Sequence, residues 1–268
     1  MTRATRHCGL DPQSTLLGTT GVWLHTIILG VALLWTSTAV ATSPCLPMIG
    51  ERLAFDIDWE FINGGSAVLE YQARAEGGYR ILTTARTNRF LDLFKKVRDT
   101  ITADGICING RQQSTLFTLD QHENRYRAHK ESRFLWRQNQ VRYTQNGKSD
   151  LYPAPAGNLS VMDAFTRVRQ LPLAPGSTVK IPVFDSRKLY QVEVTVGKKV
   201  QRLRAPWGAW VECIIVTPHL KTAGIFSSRG SITIWMTNDS RHIPIKMRAK
   251  IKIGHILAHL TAYREPTQ

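Results

Sequence analysis

The sequence predicts an all-β, mainly antiparallel fold: a curved sheet or partly closed barrel with one crossing helix near residues 159–170. First, apolar and polar residues alternate in many segments from residue 51 onward, and this period of two is typical of half-buried strands. Second, glycine-containing turn signals separate these segments, as they do in hairpins. Third, only two segments have helical spacing, so the strand–helix alternation of α/β folds is missing.

The first part of the sheet is predicted as three consecutive strands. Residues 53–59 alternate apolar and polar side chains. Asn63-Gly64-Gly65 predicts a turn into a second strand over 67–73, and Gly77-Gly78 predicts a turn into a third over 79–87. Glycine suits these turns because it adopts the positive φ of tight hairpins at little steric cost.

Two segments are predicted to be helical. Phe90–Val97 has the pattern of a short amphipathic turn between strands. A longer helix is predicted to begin at a capping residue, Asn158 or Ser160, and to run to Arg169. Its apolar residues recur every three positions, at Leu159, Met162, Phe165 and Val168. Leu171-Pro172 ends it, because a residue before proline disfavours the helical conformation.

Several later segments are predicted to be strands. Asn146-Gly147 indicates another hairpin turn. Tyr190–Val196 alternates cleanly and ends at Gly197. Further strand-type segments cover 208–217, 231–236, 243–253 and 255–263.

The N-terminal region has the layout of a secretory signal peptide. Arg3 and Arg6 precede an apolar segment over 22–35, and Ala39-Val40-Ala41 places small residues where signal peptidase cleaves. We therefore expect cleavage after Ala41 and delivery to the periplasm. The alternative is an inner-membrane anchor formed by residues 22–35, a segment shorter than the roughly 20 residues that span a bilayer comfortably.

Cleavage at that position divides the chain into three parts. Residues 1–41 are the predicted signal peptide, 42–49 an N-terminal segment, and 50–265 a single large β domain. The lack of a low-complexity linker after residue 50 supports one domain.

The chain is strongly basic, with 35 Lys and Arg against 20 Asp and Glu and a formal net charge of +15. Removing residues 1–41 takes away two arginines and one aspartate and leaves +14. An export signal argues against nucleic acid as the partner of this charge. We expect anionic lipid, lipopolysaccharide or an envelope protein instead, and the sequence leaves the oligomeric state open.

One predicted strand shows the basic pattern most clearly. Over residues 245–253, cations alternate with apolar residues without interruption. The four cations on one face are Lys246, Arg248, Lys250 and Lys252. This face is either the solvated outside of the sheet or a contact for anionic groups. The solvated outside is the favoured interpretation, because cationic outer faces are common.

Cysteine use fits an exported protein. Cys45, Cys107 and Cys213 follow the predicted cleavage site. Cys107 and Cys213 both lie in strand-like segments, so the sequence allows one disulfide between them. The sequence contains no CxxC spacing, which argues against a zinc knuckle or a thioredoxin-type site.

No motif predicts a catalytic residue, a metal ligand or a cofactor. His255 and His259 have HxxxH spacing, but on a strand they lie about 13 Å apart, too far to share an ion. Ser160, Ser227 and Ser228 lack a nucleophile motif. A triad dispersed along the chain is the one catalytic arrangement that this pattern leaves open.

Three blocks in order resemble one bacterial family. Gly50–Trp59 (GERLAFDIDW) with Gly64–Ala67 resembles its opening hairpin, and Asn158–Gly176 (NLSVMDAFTRVRQLPLAPG) resembles its central helix and turn. Ile232–Asp239 (ITIWMTND), Ile243–Ile245 and Ile253-Gly254 resemble its closing hairpin.

That family is catalogued as domain of unknown function 3108, and the resemblance covers about residues 50–263. Asn158 stands where the family usually has Asp, and Phe165 or Thr166 replaces an expected Tyr. The resemblance implies an exported protein of the bacterial envelope and brings no established activity.

These observations favour a non-enzymatic periplasmic protein that binds an amphipathic or lipid-like envelope molecule. The first alternative is an envelope assembly or interaction protein that uses sheet edges or basic faces. The second is a hydrolase of envelope polymers.

Overall fold

β-Strands dominate the computed structural model, which describes residues 48–75, 77–222, 225–226, 232–251 and 254–267. The strands form a 16-stranded sheet, and all pairings between them are antiparallel. The first eight strands are β1 (Arg52–Trp59), β2 (Ile62–Ala73), β3 (Tyr79–Thr87), β4 (Arg98–Ile108), β5 (Arg111–Glu123), β6 (Tyr126–Leu135), β7 (Gln140–Gln145) and β8 (Lys148–Pro153). The others are β9 (Thr178–Asp185), β10 (Lys188–Val196), β11 (Gln201–Arg204), β12 (Trp210–Thr222), β13 (Ile225–Phe226), β14 (Ile232–Thr237), β15 (Pro244–Lys250) and β16 (His255–Arg264).

The helices among the described residues are short. Helix α1 (Arg89–Asp92) follows β3, helix α2 (Val161–Gln170) connects β8 to β9, and one 3-10 turn covers Trp136–Gln138. Among the described residues, no helix has the length and apolar character needed to cross a bilayer.

The chain winds through the sheet almost entirely in hairpins. The strand order is β8-β7-β6-β5-β4-β3-β2-β1-β16-β15-β14-β12-β10-β9, with β11 and β13 attached to β12. The last strand therefore pairs with the first, which places the two ends of the described chain in the middle of the sheet.

The sheet curves until its two edges meet through side chains. The strand order starts at β8 and stops at β9, so hydrogen bonding does not close the ladder. Phe184 of β9 instead packs against Phe134 and Tyr152, with ring centroids 6.3 and 6.0 Å apart. The predicted all-β, curved and barrel-like fold is confirmed.

One predicted turn is wrong. Asn63-Gly64-Gly65 lies inside β2, and the chain turns earlier, at Glu60, which has a φ of 54°. Gly65 pairs with Ile57 of β1, and a Cβ on Gly65 would lie 2.0 Å from the carbonyl oxygen of Arg86. Glycine is needed here because the backbones of neighbouring strands approach closely. This is a role of glycine in sheets that differs from its role in turns.

Two other turn predictions and the longer helix agree with the structure. Gly77-Gly78 and Asn146-Gly147 form the expected hairpin turns, all with positive φ. Ser160 caps α2 by accepting a hydrogen bond from the Asp163 N–H at 3.2 Å. The amphipathic turn predicted over 90–97 is helical only in α1.

Cys107 and Cys213, between which the sequence allows a disulfide, are free thiols in the structure. They lie on β4 and β12, with β3, β2, β1, β16, β15 and β14 between these strands in the sheet order. Cys213 is fully buried in the core, and this burial raises the pKa of its thiol to about 11. Cys45, the signal segment and the cleavage site after Ala41 lie outside the described residues.

Candidate functional site

An apolar cavity of about 380 Å³ lies between α2 and the part of the sheet that follows α2 in the chain. Its walls come from β9, β10, β12, β14 and β15. The side chains that line its interior are mostly β-branched or otherwise aliphatic: Val168, Ile181, Val183, Val192, Val194, Val216, Ile234 and Met236.

The cavity has a closed end and an open end. At the closed end, Met236 and Val194 are 0% and 1% exposed. At the open end, Ile232 and Val161 are 42% and 44% exposed. Ile232, Ile234 and Met236 alternate along β14, so this strand follows the cavity from its mouth to its base.

Polar groups lie only toward the mouth. Asp185 ends β9, Tyr190 lies near the start of β10, and Lys250 ends β15. Burial raises the pKa of Tyr190, and the nearby Asp185 carboxylate raises it further, so this hydroxyl stays protonated at neutral pH. The arrangement suits a molecule with an apolar tail and a polar head.

The predicted cationic face of β15 is divided among different contacts. Lys246 Nζ lies 5.2 Å from the centroid of the Trp235 ring. Arg248 Nη2 is 2.9 Å from His255 Nε2, and Lys250 lies at the cavity mouth. Lys252 lies outside the described residues. Contact of these cations with an anionic molecule stays a prediction.

A buried ion pair holds the C-terminal part of α2 against the first strands. Arg169 donates two hydrogen bonds to the Glu51 carboxylate, at 2.6 and 2.7 Å. Both side chains are 1% exposed. Burial alone would lower the pKa of Arg169, but the bonds to Glu51 and the nearby Tyr71 raise it above its ordinary value.

A second buried group holds the N-terminal part of α2. The Asp163 carboxylate accepts hydrogen bonds from Tyr79 Oη at 2.7 Å, from Ser160 Oγ at 2.7 Å, and from Ser114 Oγ. Burial raises the pKa of Asp163, whereas these hydrogen bonds lower it, and the net direction is upward. Together with the Arg169–Glu51 pair, this carboxylate fixes α2 as the roof of the cavity.

The serines considered as nucleophiles have no catalytic geometry in the described part of the chain. Ser160 caps α2 and donates to Asp163, and Ser227 and Ser228 lie outside the described residues. His255 contacts Glu60, and His259 lies 3.7 Å from Asp58. Among the described residues, no three His, Cys, Asp or Glu side chains cluster as a metal site would.

The cavity itself was not predicted from the sequence. The alternation over Tyr190–Val196 correctly placed Val192, Val194 and Val196 on one face. An alternating pattern shows that one face of a strand is shielded from solvent. It does not show whether that face packs against other side chains or borders a cavity. Two small residues, Ala164 and Ala249, line the cavity, and small side chains are a local signal of unfilled space.

Comparisons with known proteins agree with this architecture. The crystal structure of a beta-barrel-like protein of domain of unknown function DUF1849 from Brucella abortus is similar, with a TM-score of 0.62 at 11% identity. The match covers 82% of this chain and 99% of that one, and it shows the fold alone. No curated protein sequence matches the chain. The family model described as protein of unknown function (DUF3108) matches residues 54–261, most of the chain, and the chain therefore belongs to that family.

Proposed function

We propose that this chain is an exported cell-envelope protein of the periplasm that binds one amphipathic, lipid-like molecule without chemically changing it. The observation that carries the proposal is the cavity, which is apolar at its base and polar only toward its mouth. Its volume of about 380 Å³ lies within the range of small-molecule pockets.

The chemistry of the lining favours an acyl chain with an anionic head. Each methylene group that moves from water into the apolar interior gains about 0.8 kcal/mol. Lys250 offers a cation to the head group, while Tyr190 offers a hydroxyl. Asp185, also at the mouth, disfavours a head group with several negative charges.

The same lining supports binding rather than catalysis. Among the described residues that line the cavity, none is Ser, Cys or His. A hydrolase that cleaves by covalent catalysis needs an activated nucleophile and a base in contact with its substrate.

Export is part of the proposal and is supported by the sequence of residues 1–41. Intact mass of the protein recovered from the periplasm should correspond to a chain that begins at Thr42. Recovery of the full-length chain in the inner-membrane fraction would favour the anchor formed by residues 22–35.

Binding can be tested with a fluorescent fatty acid, 11-(dansylamino)undecanoic acid. We expect the protein to bind it, and Ala249→Trp to weaken binding by about tenfold or more because the new ring fills the cavity. Ala262→Trp is the matched control: Ala262 is exposed on β16 and does not line the cavity. Equal affinities of the two variants and the wild type would contradict binding in this cavity.

The head-group contact has its own variant. We expect Lys250→Gln to weaken binding of the same carboxylate probe by about fivefold, and to leave binding of an uncharged dansyl amide of equal chain length unchanged. Lys246→Gln serves as control because Lys246 stacks on Trp235 away from the cavity lining. Native mass spectrometry of the purified protein should also detect a co-purifying lipid.

A further inference from the structure

Large apolar side chains are exposed at one end of the sheet. We define the apolar rim as Trp59, Phe61, Ile62, Phe90, Leu93 and Phe94. Phe61, at the turn between β1 and β2, is 97% exposed, and Leu93 and Phe94, just after α1, are 79% and 70% exposed. Side chains of this size at hairpin tips contribute little to the fold, because they bury almost no surface within it.

The two halves of the rim are joined into one surface. The Asn88 backbone N–H donates to the Gly64 carbonyl at 2.9 Å, and the Asn88 side chain donates to the Asn63 carbonyl at 2.6 Å. A Cβ on Gly64 would lie 2.8 Å from Leu91 Cδ1, so α1 packs directly on the start of β2. Phe90 and Phe94 also contact each other edge to face at 5.7 Å.

Cations flank the apolar rim. Arg89, Lys95 and Lys96 are all exposed in or next to α1. The carboxylates nearest to the rim already have partners within the protein: Asp92 bonds to Arg98 at 2.6 Å, and Glu60 accepts from the His255 backbone at 2.5 Å. Lys95 pairs with Glu123 at 2.8 Å. Exposed aromatic and aliphatic side chains surrounded by cations are typical of surfaces that sit at a membrane interface.

The sheet register connects the rim to the mouth of the cavity. Across the strands, Ile62 pairs with Trp59, Trp59 with Ile256, and Ile256 with Ala249, which pairs with Ile232. The last two residues line the cavity near its mouth. The rim and the mouth therefore lie at the same end of the strands.

We propose that the apolar rim docks onto an anionic lipid bilayer, with Phe61, Leu93 and Phe94 in the interfacial region and Arg89, Lys95 and Lys96 against the head groups. Docking in this orientation places the cavity mouth next to the membrane surface. This surface function goes beyond ligand binding and does not require the cavity to be occupied.

The test measures flotation of the exported protein with vesicles of phosphatidylcholine containing a quarter phosphatidylglycerol. We expect the triple variant Phe61→Ser, Leu93→Ser, Phe94→Ser to lose about tenfold or more of the bound fraction relative to the wild type. Trp210→Ser is the control: Trp210 is 61% exposed but lies at the start of β12, at the opposite end of the sheet. Equal binding of the triple variant and the wild type would overturn the proposal.

The charge component is tested separately. Arg89→Gln with Lys96→Gln should weaken binding to the anionic vesicles by about fivefold for each cation removed, and binding of all variants should fall on pure phosphatidylcholine. Binding that is independent of the phosphatidylglycerol content would contradict docking onto an anionic surface.

Hydrogen exchange locates the contact even where the N-terminal segment adds its own membrane affinity. With full-length protein, anionic vesicles should slow exchange in peptides over 59–62 and 89–96 and leave a peptide over 204–212 unchanged. Protection at 204–212 instead would place the membrane contact at the end of the sheet opposite the apolar rim and would contradict the proposal. The rim variant should still bind the dansyl fatty acid in solution, and Ala249→Trp should still float, so that failure of docking is distinguishable from failure of cavity binding.

Discussion

The two faces of α2 differ in how they meet the sheet. One face carries Asp163, Thr166 and Arg169, three residues apart, and each side chain forms buried hydrogen bonds with residues earlier in the chain. The other face carries Val161, Ala164, Phe165 and Val168, which line the cavity. One short helix is thus held by directional polar contacts on one face and borders empty space on the other.

The difference shows how this fold keeps a cavity open. An apolar helix face alone would settle onto the sheet and fill the space, since interiors pack densely. Hydrogen bonds and a bidentate ion pair have narrow geometric limits, so they fix the distance between α2 and the strands. The polar face sets the position of the helix, and the apolar face lines the space that this position leaves.

The largest expected effect comes from breaking the ion pair on the polar face. Arg169→Met leaves the Glu51 carboxylate buried and unpaired, which should lower the free energy of unfolding by about 3–5 kcal/mol. Urea denaturation at neutral pH measures this loss. Arg52→Met is the control, because the Arg52–Glu70 pair is 37% and 29% exposed and should cost only about 0–1 kcal/mol.

A double variant separates the charge from the packing. Glu51→Leu combined with Arg169→Met removes both charges, and it should be more stable than Arg169→Met alone because no unpaired charge stays buried. A double variant that is less stable than the single one would show that the hydrogen bonds, rather than the unpaired charge, account for the loss.

Sequence patterns predicted more of the strands than of the site. Alternation and the Ser160 cap are local features, and they located α2 and eight of the sixteen strands, β1, β2, β3, β10, β12, β14, β15 and β16. The Glu51–Arg169 pair joins residues 118 positions apart, and no local pattern predicts such a contact. Gly65 was misassigned to a turn because glycine serves turns and close strand approach alike, and only the neighbouring backbone of Arg86 distinguishes them.

An effect of intermediate size is expected when leucine replaces alanine in the packed core, and a smaller one when it replaces alanine in the cavity. Ala103 on β4 is 0% exposed in the core cluster with Ile81 and Phe55, so Ala103→Leu should destabilise the protein by about 1–3 kcal/mol through overpacking. Ala164 lines the cavity, so the leucine of Ala164→Leu has space there. Because leucine and alanine have similar helix propensities, this variant should change the free energy of unfolding by less than about 0.5 kcal/mol. Thermal unfolding of both variants measures the contrast, and equal losses would show that the cavity does not accept side-chain volume.

The smallest effect is a pH dependence on the polar face. Burial raises the pKa of Asp163 in the folded protein, so the folded state holds this proton more tightly than the unfolded chain. Its contribution is therefore fully present below the ordinary aspartate pKa of about 4 and is lost as pH rises through the folded value. We expect the stability of the wild type, relative to Asp163→Asn, to fall by up to about 1.4 kcal/mol per pH unit in that interval.

Asp239 supplies the control with the opposite sign. Burial would raise the pKa of Asp239, but hydrogen bonds from Thr237 and Arg241 outweigh it and lower the pKa. Its contribution is present above about pH 4 and is lost as pH falls through the folded value, so the wild type should gain stability over Asp239→Asn as pH rises. Urea unfolding of the three proteins between pH 3 and 8 measures both slopes. If the stability difference between the wild type and Asp163→Asn does not change with pH, the hydrogen bonds to Asp163 compensate for its burial. The polar face then holds α2 through an ionised carboxylate.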